Sequence, residues 1–188
     1  MLFMKAENPY KSLKSGSDIR GTAADGVPGE EIELTDKTVF DLTVGFCRWL
    51  KRKCGINEGK IAVGHDSRIS AARIKKQVIA ALAEFEYDII DCSYASTPAM
   101  FMTTVDIGCV ASIQITASHH PFNKNGLKFF TRDGGLNGSD IEEIIEFAVE
   151  PFEVKGKLPE ITTVNFTSIY AKRLRDMICK GVNADNYE

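Results

Sequence analysis

No stretch of this chain is apolar for long enough to span a bilayer. Its first residues, Met1-Leu-Phe-Met-Lys-Ala-Glu7, lack the sustained apolar segment of a secretory leader. Charge of one sign is also scarce. A net charge of −3 gives no broad basic surface for nucleic acid, and the cluster from Arg48 to Lys53 reads as a solvated helix end. The five cysteines are odd in number and lack both C-x-x-C spacing and neighbouring histidines, which argues against a disulfide framework or a zinc ribbon. They are expected to be reduced and mostly packed, as in a cytoplasmic protein. The glycines at 134, 135 and 138 come with no Walker lysine and no Rossmann spacing, so a nucleotide site is not expected.

What remains is the composition of an ordinary globular protein, 44% hydrophobic and 26% charged over 188 residues. That length suits one domain and a remainder, and a domain of about 150 residues buries roughly two-thirds of its unfolded surface. Apolar residues at Val39, Leu42, Phe46 and Leu50 mark a helix over Asp36–Lys53, closed by Gly55 as its C′ residue. A strand is expected at 60–64, then a helix from Ser70 with the stripe Ile74, Val78, Ala81, Leu82 and Phe85, then a strand at 87–92. Thr97-Pro98 signals a helix start with Thr97 as N-cap. Strands follow at 109–115 and 127–131, with a turn at Asp133-Gly-Gly135. Ser139-Asp-Ile-Glu142 reads as a capping box before the stripe Ile141, Ile144, Ile145, Ala148 and Phe152. This alternation predicts a layered α/β/α domain with a mostly parallel mixed sheet over residues 1–155. Residues 154–164 read as a linker, and Phe166 to Cys179 as a helix, so that 156–188 would be the linker and first helix of a truncated second domain. The apolar face of that helix should pack back on the first domain, pair with another copy, or be poorly ordered.

The segment Thr116-Ala-Ser118-His119-His120-Pro121 places a hydroxyl, two imidazoles and, at Lys128, an ammonium around one polar loop between two strands. Ser118 would lie at a strand's carboxyl end, where open α/β sheets hold ligands. A lone serine in such a loop is usually a turn former bonded to its own backbone. Two adjacent histidines project apart and lack a third ligand, which argues against zinc. His65 has no expected role, and Asp66 and Arg68 are expected to bridge within the 64–70 loop or, less simply, to reach the rim of a site.

This segment, with Asn125-Gly126-Leu-Lys128 behind it, resembles the phosphoserine loop of the α-D-phosphohexomutases, the phosphoglucomutase and phosphomannomutase family, whose usual form is T-A/G-S-H-N-P followed by N-G-x-K. Ser17-Asp-Ile-Arg20-Gly-Thr22 is similar to the family's D-I-R-G segment, and Val63-Gly-His-Asp66-Ser-Arg68 to its G-x-D-x-R loop. His120 stands where the usual form has asparagine, and a structural role is expected for it. The resemblance covers about residues 8–155 and implies a first domain whose Ser118 carries a phosphoryl group between hexose 1-phosphate and hexose 6-phosphate through a 1,6-bisphosphate. Glucose or mannose is the expected sugar. Arg20 would clamp the anion, and His119 and Lys128 compete for proton transfer. Magnesium would bind one phosphoryl oxygen on Ser118, with its other ligands beyond Glu188. The rest of a longer chain is the expected partner, the 188 residues alone are expected to be inactive, and neither membrane nor nucleic acid is expected. A non-catalytic phosphosugar-binding or regulatory domain is the alternative, and a phosphatase a third reading.

Overall fold

A computed structural model describes residues 8–180 of the chain. Its elements run in the order β1 (Lys14–Ser15), β2 (Asp18–Thr22), α1 (Asp36–Lys53), β3 (Glu58–His65), α2 (Ala71–Ala83), β4 (Glu86–Tyr94), α3 (Thr97–Asp106), β5 (Ala111–Ile115), β6 (Lys124–Thr131), β7 (Gly134–Gly135), α4 (Gly138–Ala148), β8 (Ile161–Thr163) and α5 (Phe166–Cys179). One mixed sheet has the order β1-β2-β6-β5-β3-β4-β8, with β7 beside β6. Its β5-β3-β4-β8 half is parallel, and β1, β2, β6 and β7 are antiparallel. The layered α/β fold is therefore as expected. The parallel part holds the longest ladder, and the antiparallel part begins where the Ser118 loop returns the chain as β6.

Helices cover both faces. On one side α1, α2 and α4 bury Val39, Leu42, Phe46, Ile74, Val78, Leu82, Ile141 and Ile144 against Ile61, Ile113 and Phe129, with Phe46 stacked on Phe129 at 4.4 Å between centroids. On the other, α3 and α5 cover Ala62, Ile90 and Phe130 with Met100 and Phe166. Every residue of β5 is buried, the pattern of a strand covered on both faces.

Local chemistry explains where helices begin and end. Thr35 caps α1 by accepting from the Thr38 amide at 3.1 Å, while Lys51, Arg52 and Lys53 oppose the dipole at its end. Gly55, with φ of +69°, follows as the expected C′ residue. Two caps differ from expectation. Ser96, not Thr97, caps α3, and Asn137, not Ser139, opens α4, with its side chain accepting from the Asp140 amide and Asp140 accepting from the Asn137 amide. Each site has two polar residues within three positions, Ser96-Thr97 and Asn137-Gly-Ser139, and spacing alone does not rank them.

Residues 154–164 are not wholly a linker. Ile161-Thr-Thr163 pairs in parallel with Ile89-Ile-Asp91 as β8, and β-branched residues suit such an edge. The approach is stapled: Glu84 at the end of α2 accepts from the amides of Lys155, Gly156 and Lys157 at 2.7, 2.9 and 3.3 Å. Arg48 donates to the carbonyls of Phe147, Glu150 and Pro151. The boundary placed at 155–156 thus falls between α4 and β8. Helix α5 packs back on the same domain, burying Phe166 and pairing Arg173 with Asp106, while Met177 and Ile178 stay exposed. The outer ends of both expected segments, residues 1–7 and 181–188, lie outside the described residues.

Gly45 marks the closest approach of α1 to α4, since a Cβ there would run into the Ile144 carbonyl oxygen and lie 3.1 Å from the Ala148 Cβ. Gly45→Ala should cost about 1–3 kcal/mol by overpacking this contact. Chemical denaturation of the variant against the parent chain checks this, with unchanged stability as the contrary result.

Candidate functional site

Strands β3 and β5 run parallel and release the chain side by side at their carboxyl ends, so the loops 66–70 and 116–123 meet there. The Asp66 amide donates to the Ile115 carbonyl at 3.1 Å, and Thr116 Oγ1 donates to Asp66 Oδ2 at 2.7 Å. The same Thr116 Oγ1 accepts from the Ser118 amide at 2.9 Å. His120 closes a turn by donating its amide to the Ala117 carbonyl. Within this turn Ser118 has φ of +56°, a left-handed conformation that costs a non-glycine residue on the order of 1–2 kcal/mol. A neighbour has to hold it.

That neighbour is Arg68. Its Nη2 donates to the carbonyls of Ser118 and His120 at 2.8 and 2.7 Å, and its Nη1 to those of Pro121 and Lys124 at 2.6 and 2.9 Å. Asp66 lies behind it, with Oδ2 3.4 Å from Nε. The expected bridge within the 64–70 loop is therefore present, and the guanidinium also reaches across to the Ser118 loop. That second reach agrees with the less simple reading, contact with the rim of a site, and it is made to four backbone carbonyls. A loop with several carbonyls and few amide partners needs an outside donor, and Asp66-Ser-Arg68 was the nearest source of one.

Ser118 itself is exposed, as are His119 and His120. Ser118 Oγ lies 3.4 Å from His119 Nδ1, and the two imidazoles stack with centroids 5.0 Å apart. Around them runs an open groove of about 480 Å³, bounded by Asp66, Arg68 and Ile69 on one side and Ser118, His120 and Phe122 on the other. His65 stays apart, with Nδ1 2.8 Å from the Asp66 carbonyl and its ring against Tyr94.

Arg20 and Lys128 come from β2 and β6, which are antiparallel neighbours with Arg20 opposite Gly126. Arg20 Nη1 is 3.5 Å from the Ala117 carbonyl, which brings the guanidinium to the Ser118 loop. Its Nη2 donates to Asp18 Oδ2 at 2.9 Å, and Lys128 Nζ donates to Asp18 Oδ1 at 2.5 Å. Asp18 is nearly buried, at 5% exposure, and joins the two cations. Lys128 thus has as its ion-pair partner a carboxylate on the neighbouring strand β2. Both the pairing of Arg20 with Asp18 and its approach to the loop occur together. A further cation, Lys124, donates to Thr22 Oγ1 at 2.7 Å and pairs with Glu30. Among the described residues no group of three or more His, Cys, Asp and Glu side chains converges to hold a metal ion. The residues present therefore do not by themselves fit the magnesium that the resemblance implies, and Ser118 would offer it one phosphoryl oxygen at most. No helix among the described residues is long and apolar enough to cross a membrane. All five cysteines are free, and burial pushes the Cys92 thiol up to about 12 and that of Cys109 to about 11.

The sequence pattern described as "Phosphoglucomutase/phosphomannomutase, alpha/beta/alpha domain I" matches residues 12–153. Phosphoglucosamine mutase of Helicobacter pylori (strain HPAG1) is 34% identical over 155 residues, which is 82% of this chain and 34% of that protein. Phosphoglucosamine mutase of Campylobacter jejuni (serotype O:23/36, strain 81-176) is 33% identical over 156 residues, with the same shares of 82% and 34%. Among solved structures, a phosphoglucomutase/phosphomannomutase family protein from Burkholderia thailandensis superposes with a TM-score of 0.69 at 21% identity, over 87% of this chain and 35% of that one. Parafusin, a phosphoglucomutase from Paramecium in its open form, gives 0.68 at 16% identity, over 92% and 36%. At such identities the structural likeness speaks for the fold alone. The chain spans about a third of the length of these relatives.

The histidine beside the turn offers a pH-based test. Desolvation, then the positive charge of Arg20 and the nearby His119, Arg68 and Lys124, hold the His120 imidazole below the ordinary histidine value. It should therefore be neutral at pH 7, and an anion at Ser118 should raise its midpoint again by favouring imidazolium. NMR titration of the His120 ring with and without inorganic phosphate reads both effects. A midpoint at or above the ordinary value in the free chain would contradict this account.

Proposed function

Because this chain belongs to the phosphoglucomutase/phosphomannomutase family, we propose that it is the phosphoryl-carrying first domain of a sugar-phosphate mutase, with Ser118 as the carrier. The observation that bears this reading is the exposed Ser118, held left-handed at the carboxyl end of β5 with the Arg20 guanidinium against its loop. In the proposed step a sugar 1,6-bisphosphate gives one phosphoryl to Ser118 Oγ. A P–O bond to serine forms as one to the sugar breaks, the serine proton leaves through His119 or Lys128, and the sugar oxygen regains a proton. The bisphosphate itself forms by the reverse step, in which phosphoserine gives its phosphoryl to the free hydroxyl of an incoming sugar monophosphate, so that transfer to one sugar oxygen and return from the other complete the isomerisation. Arg20, paired on one side with Asp18, presents its remaining donors to the phosphoryl oxygens, where fixed positive charge offsets developing negative charge. His119 Nδ1 is the basic nitrogen within 3.4 Å of Oγ, which favours it for the serine proton, and leaves Lys128 for the sugar hydroxyl.

The rest of the mutase lies, in this proposal, in further chain of the kind the longer relatives have, and supplies the sugar contacts and the other ligands of a magnesium ion. Of the described residues, only a phosphoryl on Ser118 would offer magnesium an oxygen. When bound it would offset phosphoryl charge. Glucosamine phosphate is the first sugar to test, ahead of the glucose and mannose phosphates expected from sequence, because relatives at 33–34% identity carry the name phosphoglucosamine mutase.

Full-length protein incubated with glucosamine 1,6-bisphosphate and magnesium should gain one phosphate, which peptide mass analysis places on Ser118. Ser118→Ala should lower mutase turnover by about 10³-fold or more, since a covalent carrier has no substitute. Unchanged turnover would remove Ser118 from the reaction, and phosphosugar binding without any phosphoserine would favour the non-catalytic reading. The 188 residues alone should give only background in a coupled mutase assay, because positioning of the sugar is absent. Turnover by this chain near that of the full-length protein would reject the need for further domains.

A further inference from the structure

We propose that Arg68 is the positioning residue of the Ser118 turn: by gathering four carbonyl oxygens onto one guanidinium it keeps Ser118 left-handed and turns the His119 and Phe122 amides outward as donors for an anion. This rests on the reading of Ser118 as a phosphoryl carrier. The carbonyls of Ser118, His120, Pro121 and Lys124 all point at Arg68 at 2.6–2.9 Å. Across a trans peptide the C=O and the following N–H point in opposite directions. The carbonyls of Ser118 and Pro121 therefore direct the amides of His119 and Phe122 away from the guanidinium, and neither amide has a hydrogen-bond acceptor among the described residues. Two free amides facing away from the guanidinium on either side of the His120 turn leave donors for phosphate oxygens. Without Arg68, four carbonyl dipoles would be free to rotate toward the same space, where they repel an anion.

The choice of arginine follows from geometry. A planar fork with two terminal nitrogens can serve two acceptors on each, whereas an ammonium has three donors and cannot span four carbonyls. The side chain is 11% exposed, and its terminal nitrogens are committed to the loop, so it acts through Ser118 and not on a substrate. Asp66 fixes it from behind while also holding Thr116, which in turn receives the Ser118 amide. Charge and shape of the turn are thereby set from the neighbouring loop.

The test uses the 188-residue chain and inorganic phosphate as the probe. Arg68→Ala and Arg68→Lys should each speed hydrogen exchange at the Ser118 and His120 amides about tenfold or more, while β5 and β6 remain protected. Both should weaken phosphate binding, read from the ¹⁵N shifts of His119 and Phe122, by a similar factor. Millimolar guanidinium should restore Arg68→Ala toward the parent chain in both readouts and leave Arg68→Lys unchanged. A lysine variant that matches the parent would show that charge alone is used, and would overturn the proposal, as would failure of guanidinium to rescue the alanine variant. If the parent chain shows no phosphate shifts at those amides, the amide site and the phosphoryl-carrier reading fall together, while phosphate shifts that survive both substitutions would reject Arg68 alone.

Discussion

Strand β5 is buried along its whole length, between antiparallel β6 and parallel β3 and under helices on both faces, so its chain can leave the sheet only at its ends, and the functional end is the carboxyl one. There it must reverse within a few residues to return as β6, because the two strands are paired from Ala111 with Thr131 to Ile115 with Leu127. The return runs through residues 116–123, and within it Ser118 takes a left-handed conformation. Everything particular to the site follows from that return. The parallel partner β3 ends beside it and delivers Asp66 and Arg68, while β6 and β2 beyond it deliver Lys128 and Arg20.

The cations are many, yet each is tied to a carboxylate or to carbonyls. Arg20 and Lys128 share Asp18, Lys124 has Glu30, and Arg68 has Asp66. Such pairing keeps flexible side chains in one arrangement before an anion arrives, which lowers the ordering cost of binding. It also limits how far each cation has to be stripped of partners when it faces a phosphoryl group. Glu30, hydrogen-bonded by Lys124 and then Asn123, is held below the ordinary carboxylate range, so this part of the network stays charged over the range in which phosphosugars are dianions.

Long periodic elements were legible in the sequence because one apolar face fixes them: α1 and α5 begin and end where the stripe and its flanking signals say. Caps were less so. At Ser96-Thr97 and at Asn137 to Ser139 two polar residues compete for one position, and the winner depends on how the preceding loop arrives. The strand β8 was illegible, since three residues carry no period and their pairing is with a strand some seventy residues away. In the site, the nucleophile's place was visible from the loop string between two strands. The partners of Arg68 and the bridge through Asp18 were not, because backbone carbonyls and cross-strand neighbours leave no mark in residue spacing.

The short strand β8 has a protective side. It covers Ile89, Ile90 and Asp91 on β4, which is nine residues long and would otherwise be the outer strand of the sheet. An exposed edge of that length, with isoleucines beside it, offers free amides and carbonyls to any extended chain it meets. Residues 154–163, anchored by Glu84, therefore do more than lead onward. A chain ended at residue 153, where the family match stops, would keep its turn at Ser118 but present an uncovered β4, and self-association through strand pairing would compete with its solubility.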